Sequence, residues 1–191
     1  GVAAHKAGAD VTMVTKLGRD TFADIALNTM KELGMKQDRI LYSDDTETGC
    51  ALIMVDENTS QNEIVVILGS CNTISDAEVD SLEDLLDGCE YMLTQLETNV
   101  SSVERIVNIA CKKGVKVILN TAPVQPISDE LLSKVDLITP NEVEAEILTG
   151  VKVDSEEAAD KAAEWFFSKG VKRVLITLGL SLIHISEPTR H

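Results

Sequence analysis

Four short stretches of this chain hold residues whose types and spacing suit ligand chemistry. In Pro140-Asn141-Glu142-Val143-Glu144, an Asn is followed three residues later by an acid. That spacing completes a capping box, in which the Asn side chain caps a helix and the Glu reaches back to the cap N–H. The same pair can instead face a nucleotide phosphate and its Mg2+. Magnesium keeps most of its waters and needs few carboxylates, so one outer-sphere Glu144 is chemically sufficient. Spacing alone does not separate these readings. Glu97 ends the apolar run 91–96, where a carboxylate can accept hydrogen bonds from substrate hydroxyls. Spacing favours the plainer reading of an exposed acid. Asn120-Thr121-Ala122-Pro123 closes another apolar run and reads as a cleft wall or, more simply, a rigid turn. In Thr177-Leu178-Gly179, a hydroxyl and a glycine turn suit the close approach of a nucleotide, a weak signal since many strands end in Gly.

Other chemistries find no support. Of the three histidines, His5 lies in a helical pattern and His184 and His191 lie in an atypical tail, so no Ser-His-Asp set is indicated. Neither G-x-x-x-x-G-K-[ST] nor a strand followed by G-x-G-x-x-G occurs, which argues against a P-loop enzyme and a dinucleotide oxidoreductase. The four cysteines, at 50, 71, 89 and 111, form no C-x-x-C pair and have no His at ligand spacing. A zinc or redox motif is therefore not expected, and reduced thiols in a cytoplasm are.

Each of the four stretches sits at the carboxyl end of a predicted strand, where α/β sheets bind their ligands. Strands are predicted at 11–15, 51–55, 63–68, 91–96, 115–120, 137–139 and 173–178. Helices are predicted at 21–33, from 101 to Gly114, at 141–149 and at 155–169, most of them stopped by a glycine. Ser75 with Glu78, and Ser101 with Glu104, each read as a capping box that opens a helix. Residues 1–7 read as the last turns of an amphipathic helix closed by Gly8. Strand–helix alternation of this kind predicts an α/β fold, a parallel sheet with helices on both faces. The runs 51–55 and 63–68, joined by polar 56–62, read instead as a hairpin. Two strands alone are marginally stable, so this hairpin is expected to belong to a flap whose other strands lie elsewhere.

With 191 residues, 44% hydrophobic and 26% charged, the composition is that of a soluble domain with a sizeable core. No apolar run reaches the roughly 18 residues that cross a membrane. The first ten residues do not resemble a signal peptide, and the missing initiator Met suggests that the natural start lies upstream. A formal net charge of −15 argues against nucleic-acid binding but is compatible with a local site for an anionic nucleotide. The acids at 76, 78, 80, 83, 84, 87 and 90 have no Lys or Arg among them and read as a solvated helix face. From Leu180 to Arg190 the text resembles the translation of a sequencing-library adapter; the alternative is a genuine strand at 180–185 followed by a turn.

Several motifs together are recognisable. Ala7-Gly8-Ala9-Asp10-Val11, then Lys16-Leu17-Gly18-Arg19-Asp20-Thr21-Phe22, then Thr48-Gly49 resemble the early signature of the ribokinase (PfkB-type) carbohydrate kinases. Leu119 to Pro123, Thr139 to Glu146 with Leu148-Thr149-Gly150, and Val174 to Gly179 continue the match. Ala23 stands where the family usually has Gly. The resemblance implies a ribokinase-like, Rossmann-like sheet over residues 1–179 with a partial β lid at about 50–68; the adapter-like text, separately, implies a non-native tail at 180–191.

The resemblance further implies ATP-dependent phosphorylation of ribose at its primary hydroxyl, with Mg2+ and with monovalent-cation dependence left open. By this resemblance Glu97 contacts the sugar, Asn141, Thr177 and Gly179 serve the ATP site, and Glu144 organises Mg2+ indirectly. The hairpin is half of a lid that also forms a homodimer surface. The alternatives are another PfkB-type sugar or nucleoside kinase, or a non-catalytic sugar- or nucleotide-binding protein of the same fold. The family's Gly-Gly-Lys-Gly-Ala-Asn-like sugar segment and its Gly-Ala-Gly-Asp motif, which carries the catalytic base, do not occur here. Residues 1–191 alone are therefore expected to be inactive and poorly stable, with apolar helix faces and sheet edges uncovered.

Overall fold

The computed structural model describes residues 1–58, 62–178 and 182–187. The described chain forms two compact units, Gly1–Glu78 and Val79–His191.

The first unit starts with helix α1 (Val2–Lys6), followed by strand β1 (Thr15–Leu17), helix α2 (Thr21–Glu32) and strand β2 (Ile40–Tyr42). β1 and β2 pair in parallel. Their small core is Leu17, Ala23, Met30, Met35 and Ile40. The strand expected at 11–15 is displaced: only Thr15 belongs to β1, because β2 offers pairing partners to Thr15, Lys16 and Leu17 alone. β2 itself was not anticipated, since three residues are too few to show a period.

β3 (Cys50–Val55) and β4 (Asn62–Ile67) form the expected hairpin, a two-stranded antiparallel sheet among the described residues. Its side chains are exposed on both faces: Leu52 and Ile53, successive residues that point to opposite sides, are 61% and 62% accessible. The base of the hairpin is built on glycine. A Cβ on Gly49 would lie 2.5 Å from the Leu68 carbonyl oxygen, and Gly69, at φ +52°, would meet the Glu47 carbonyl at 2.5 Å. No side chain fits at either position.

Asp20 ties this base to α2. Its Oδ1 accepts the Ala23 N–H at 2.9 Å as the helix cap, and its Oδ2 accepts the Thr48 N–H at 2.7 Å. Thr48 Oγ1 in turn accepts the Gly18 N–H at 2.9 Å. The bonds from Thr48 and then Ala23 hold the Asp20 carboxyl below its ordinary value. As pH falls, the unfolded chain takes up this proton first, near pH ~4. The contribution of Asp20 is therefore intact above that pH and is lost as pH drops through the lower folded value. The Thr48 amide proton, followed by NMR, is expected to titrate with a midpoint below about 4, and not at all in Asp20→Asn. A midpoint at or above that value would remove Asp20 as the anchor.

A five-stranded sheet organises the second unit, in the order β5 (Tyr91–Thr94), β6 (Lys116–Leu119), β7 (Leu137–Ile138), β8 (Val174–Leu178), β9 (Leu182–Ser186). The first four strands are parallel, and β9 is antiparallel to β8. β9 falls in the segment set apart above as adapter-like. Helices α4 (Val100–Lys112), α6 (Glu142–Thr149) and α7 (Glu156–Ser168) pack against strands of this sheet, and a short α5 (Asp129–Leu132) precedes β7. Val117, Leu119, Ile138, Val174 and Ile176 are fully buried. α7 meets this core with Ala159, Ala162, Ala163 and Phe166, the spacing of a single helix face.

Two expectations need correction. Ser101 does not open a helix: α4 begins at Val100 after the N-cap Asn99, whose Nδ2 donates to Ser101 Oγ at 3.1 Å and Ser102 Oγ at 2.6 Å. Glu104 reaches away from any box and accepts the Ser128 Oγ proton at 2.7 Å. The acidic run is solvated as expected, with all its members but Glu78 exposed, but it is not one helix face: it is spread over α3 (Asp76–Asp80), a 3-10 turn at Glu83–Leu86 and the residues after it, and basic side chains distant in sequence pair with part of it. Lys16, itself buried, pairs with Glu78 at 2.9 Å, Arg105 with Asp80 at 2.7 Å, and Lys113 with Asp87. Burial pushes the Glu78 carboxyl up, but the Ser75 N–H and Lys16 outweigh it and hold it below its ordinary value. The box between Ser75 and Glu78 is present as expected: the Ser75 N–H donates to Glu78 Oε2 at 2.7 Å, and the Glu78 N–H to Ser75 Oγ at 3.3 Å.

Candidate active site

The carboxyl ends of β6, β7 and β8 meet at the start of α6. Leu119 ends β6 and is bridged to the next strand by the Thr139 N–H, which donates to the Leu119 carbonyl at 2.9 Å. One residue past Thr139, the carbonyl of buried Pro140 accepts the Thr177 N–H at 3.0 Å, so Asn141 and Thr177 form a parallel bridge. The sequence is locally committed to this geometry. Asn141 is extended, at φ −83° and ψ 177°, and caps a helix that stops at Gly150.

The capping box is complete. Asn141 Oδ1 accepts the Glu144 N–H at 2.8 Å, and Glu144 Oε2 accepts the Asn141 N–H at 3.0 Å. Asn141 Nδ2 also donates to Glu144 Oε1 at 3.0 Å. Sequence reasoning missed a further donor, Thr121, whose Oγ1 donates to Glu144 Oε2 at 2.7 Å. Thr121 is 23 residues from Glu144 in sequence, and no local pattern links them. Its neighbour Asn120 braces the same turn, with Nδ2 donating to Thr139 Oγ1 at 3.3 Å and Oδ1 accepting the Ala122 N–H at 3.0 Å.

This accounting tests whether Glu144 fits Mg2+. A carboxylate offers about four acceptor positions, and protein donors fill three on Glu144. The one left suits a hydrogen bond from a metal-bound water better than a bond to the metal itself. Glu144 therefore fits an outer-sphere role, and magnesium's preference for retaining its waters agrees.

The structure thus brings Asn141, Glu144 and Thr177 together. Glu97 is half-buried beyond β5, where its Oε2 accepts from Gln95 Nε2 at 2.6 Å and the N–H of its neighbour Leu96 donates to the Ala122 carbonyl at 3.1 Å. Gly179 lies outside the described residues. A cleft of about 290 Å³ is lined by Glu142, Val153, Asp154, Ser155, Glu156 and Leu178, two of which adjoin Asn141 and Thr177 in sequence. Three carboxylates there repel phosphate and suit hydroxyl or amino donors. Two other groups carry no chemistry here. Burial pushes the Cys111 thiol up, away from thiolate reactivity, and His5 Nε2 lies 2.9 Å from the Leu33 carbonyl oxygen, tying down α1.

The pfkB family carbohydrate kinase profile matches residues 2–181. The ribokinase of Haemophilus influenzae is 43% identical over 186 residues, 97% of this chain and 60% of that protein. The deoxyribokinase of Salmonella typhi is 33% identical over 179 residues, 93% of this chain and 58% of that protein. The structure of an Arabidopsis thaliana ribokinase complexed with ribose and ATP superposes with a TM-score of 0.79 at 26% identity, covering 91% of this chain and 57% of that one. The chain spans about three fifths of the length of these relatives. On the profile match across nearly its whole length, this chain belongs to the pfkB family of carbohydrate kinases.

Proposed function

We propose that this chain carries the nucleotide side of a kinase that transfers the γ-phosphoryl of ATP to the primary hydroxyl of ribose. The observation behind this reading is the Glu144 carboxylate held beside Asn141 and adjoining Thr177 at the carboxyl end of the sheet. Phosphoryl transfer asks a protein mainly for positioning and charge stabilisation. Bound Mg2+ neutralises phosphate oxygens. In this proposal Asn141, Thr177 and Gly179 bind the nucleotide, Glu144 accepts a hydrogen bond from a metal-bound water, and Glu97 accepts from sugar hydroxyls. No residue of 1–191 is assigned the proton-abstracting base. A second copy of the protein is proposed to cover the apolar hairpin, and the cytoplasm, where ATP is abundant, is the proposed setting.

Ribose is the first choice because the ribokinase relative is the more similar of the two compared. Deoxyribose is the second reading, supported by the 33% identity to a deoxyribokinase. A panel of ribose, deoxyribose, fructose and adenosine, offered with Mg·ATP to the complete gene product, separates them. Ribose is expected to be the best acceptor, and no product from ribose would sink the proposal. Glu144→Gln is expected to lower turnover roughly 100-fold, as loss of a transition-state charge stabiliser does, with the deepest loss at limiting Mg2+. Purified residues 1–191 are expected to yield no phosphorylated sugar, and product above background would overturn the assignment of the base elsewhere.

A further inference from the structure

We propose that Thr121 is a positioning residue that sets the orientation of the Glu144 carboxylate. The functional weight of this step rests on the nucleotide reading above; its geometry does not. Thr121 is fully buried just beyond β6. A buried hydroxyl requires a partner, and this one donates to Glu144 Oε2 at 2.7 Å, the length of an O–H bond to a carboxylate.

The capping box does not need that bond. Asn141 already holds the carboxylate through its backbone N–H and its side-chain amide, and α6 is capped without help from β6. A valine would fill the same buried space with nearly the same shape. What the hydroxyl adds is a second anchor from a different element. Asn141 places one donor on each carboxylate oxygen, which leaves an acceptor position on both. Thr121 at the end of β6 fills the second position on Oε2. The acceptor position that remains is on Oε1, and its direction becomes a property of the sheet and no longer of the helix alone. Thr121 thereby decides which oxygen Glu144 offers to a metal-bound water.

The test compares Thr121→Val with Thr121→Ser in the complete gene product by NMR-detected amide exchange. In Thr121→Val the Asn141 amide is expected to exchange about tenfold faster, the loss appropriate to one hydrogen bond with a charged group, while the Phe166 amide keeps its protection. Thr121→Ser retains the hydroxyl and is expected to restore wild-type exchange at Asn141. Unchanged exchange in Thr121→Val, or an equal loss in both variants, would overturn the proposal. Should Thr121→Val fail to fold, the buried hydroxyl proton of Thr121 in the unaltered chain decides. Its resonance is expected to move upfield in Glu144→Gln, and an unmoved resonance overturns the assignment. Calorimetry of the complete gene product with Mg·ATP runs in parallel. No binding alongside the expected exchange response would reject the nucleotide reading while supporting the placement of Thr121.

Discussion

Phe166→Ala is expected to destabilise the second unit by about 3–5 kcal/mol, the range for removing a fully buried aromatic side chain. The size follows from how α7 meets the sheet. Its inward face is otherwise Ala159, Ala162 and Ala163, all fully buried or nearly so, which let the helix backbone lie close to the strands. Phe166 is the one large residue on that face and has no accessible surface. It also packs edge-on against Trp165, with centroids 5.3 Å apart and planes at 87°. The alanines beside it on the helix have no flexible ends that could move into the vacated space, which limits how far α7 itself can fill the cavity. Set against a typical domain stability of about 5–15 kcal/mol, this loss is expected to abolish or sharply shift the cooperative urea transition of the unit. A midpoint within experimental error of the wild type would show that Phe166 does not hold α7 to the sheet.

A double substitution, Leu52→Asp with Ile53→Asp, is expected to convert a dimer to a monomer. These residues point to opposite faces of β3, and both faces are apolar: Ile53 pairs across the hairpin with Ile64, and Leu52 with Val65. All four are well exposed within the chain, so the substitutions remove no packing from the monomer itself. An isolated two-stranded hairpin with two apolar faces is poorly stabilised in water, and a second copy is proposed to cover it. Aspartates at such a contact would be desolvated without partners. The dissociation constant is expected to rise about 100-fold or more, as for the loss of central interface residues. Sedimentation velocity reads the outcome directly. A wild-type chain that stays monomeric at high concentration, or a double variant that dimerises as well as the wild type, would remove the hairpin as the interface.

The sequence by itself determined the features whose cause is local. Capping at Asn141 and Ser155 and the stops at Gly34 and Gly150 appear where their types and spacing place them, because a cap bonds only to its own first turn. The hairpin was legible for the same reason: two short apolar runs flank a polar loop. The parallel α/β sheet followed from the order of the strands and helices, and the motifs at Asn120 to Pro123 and Asn141 to Glu144 lie at the carboxyl ends of its strands, as their order in the chain implied.

The tertiary structure alone decided everything that joins distant segments. Three-residue β2 exists because β1 lies beside it. Part of the acidic run pairs with Lys16, Arg105 and Lys113, and no count of charges along the chain reveals that pairing. Ser101 and Glu104 have the spacing of a box, yet Asn99 starts that helix and Glu104 turns to Ser128. The Asn141–Glu144 pair shows the division most clearly. Its capping role was written in a four-residue spacing. That one acceptor position of Glu144 stays open, and where it points, depends on a threonine at the end of another strand, since a carboxylate's free lone pair is set by every donor around it and only the fold brings those donors together.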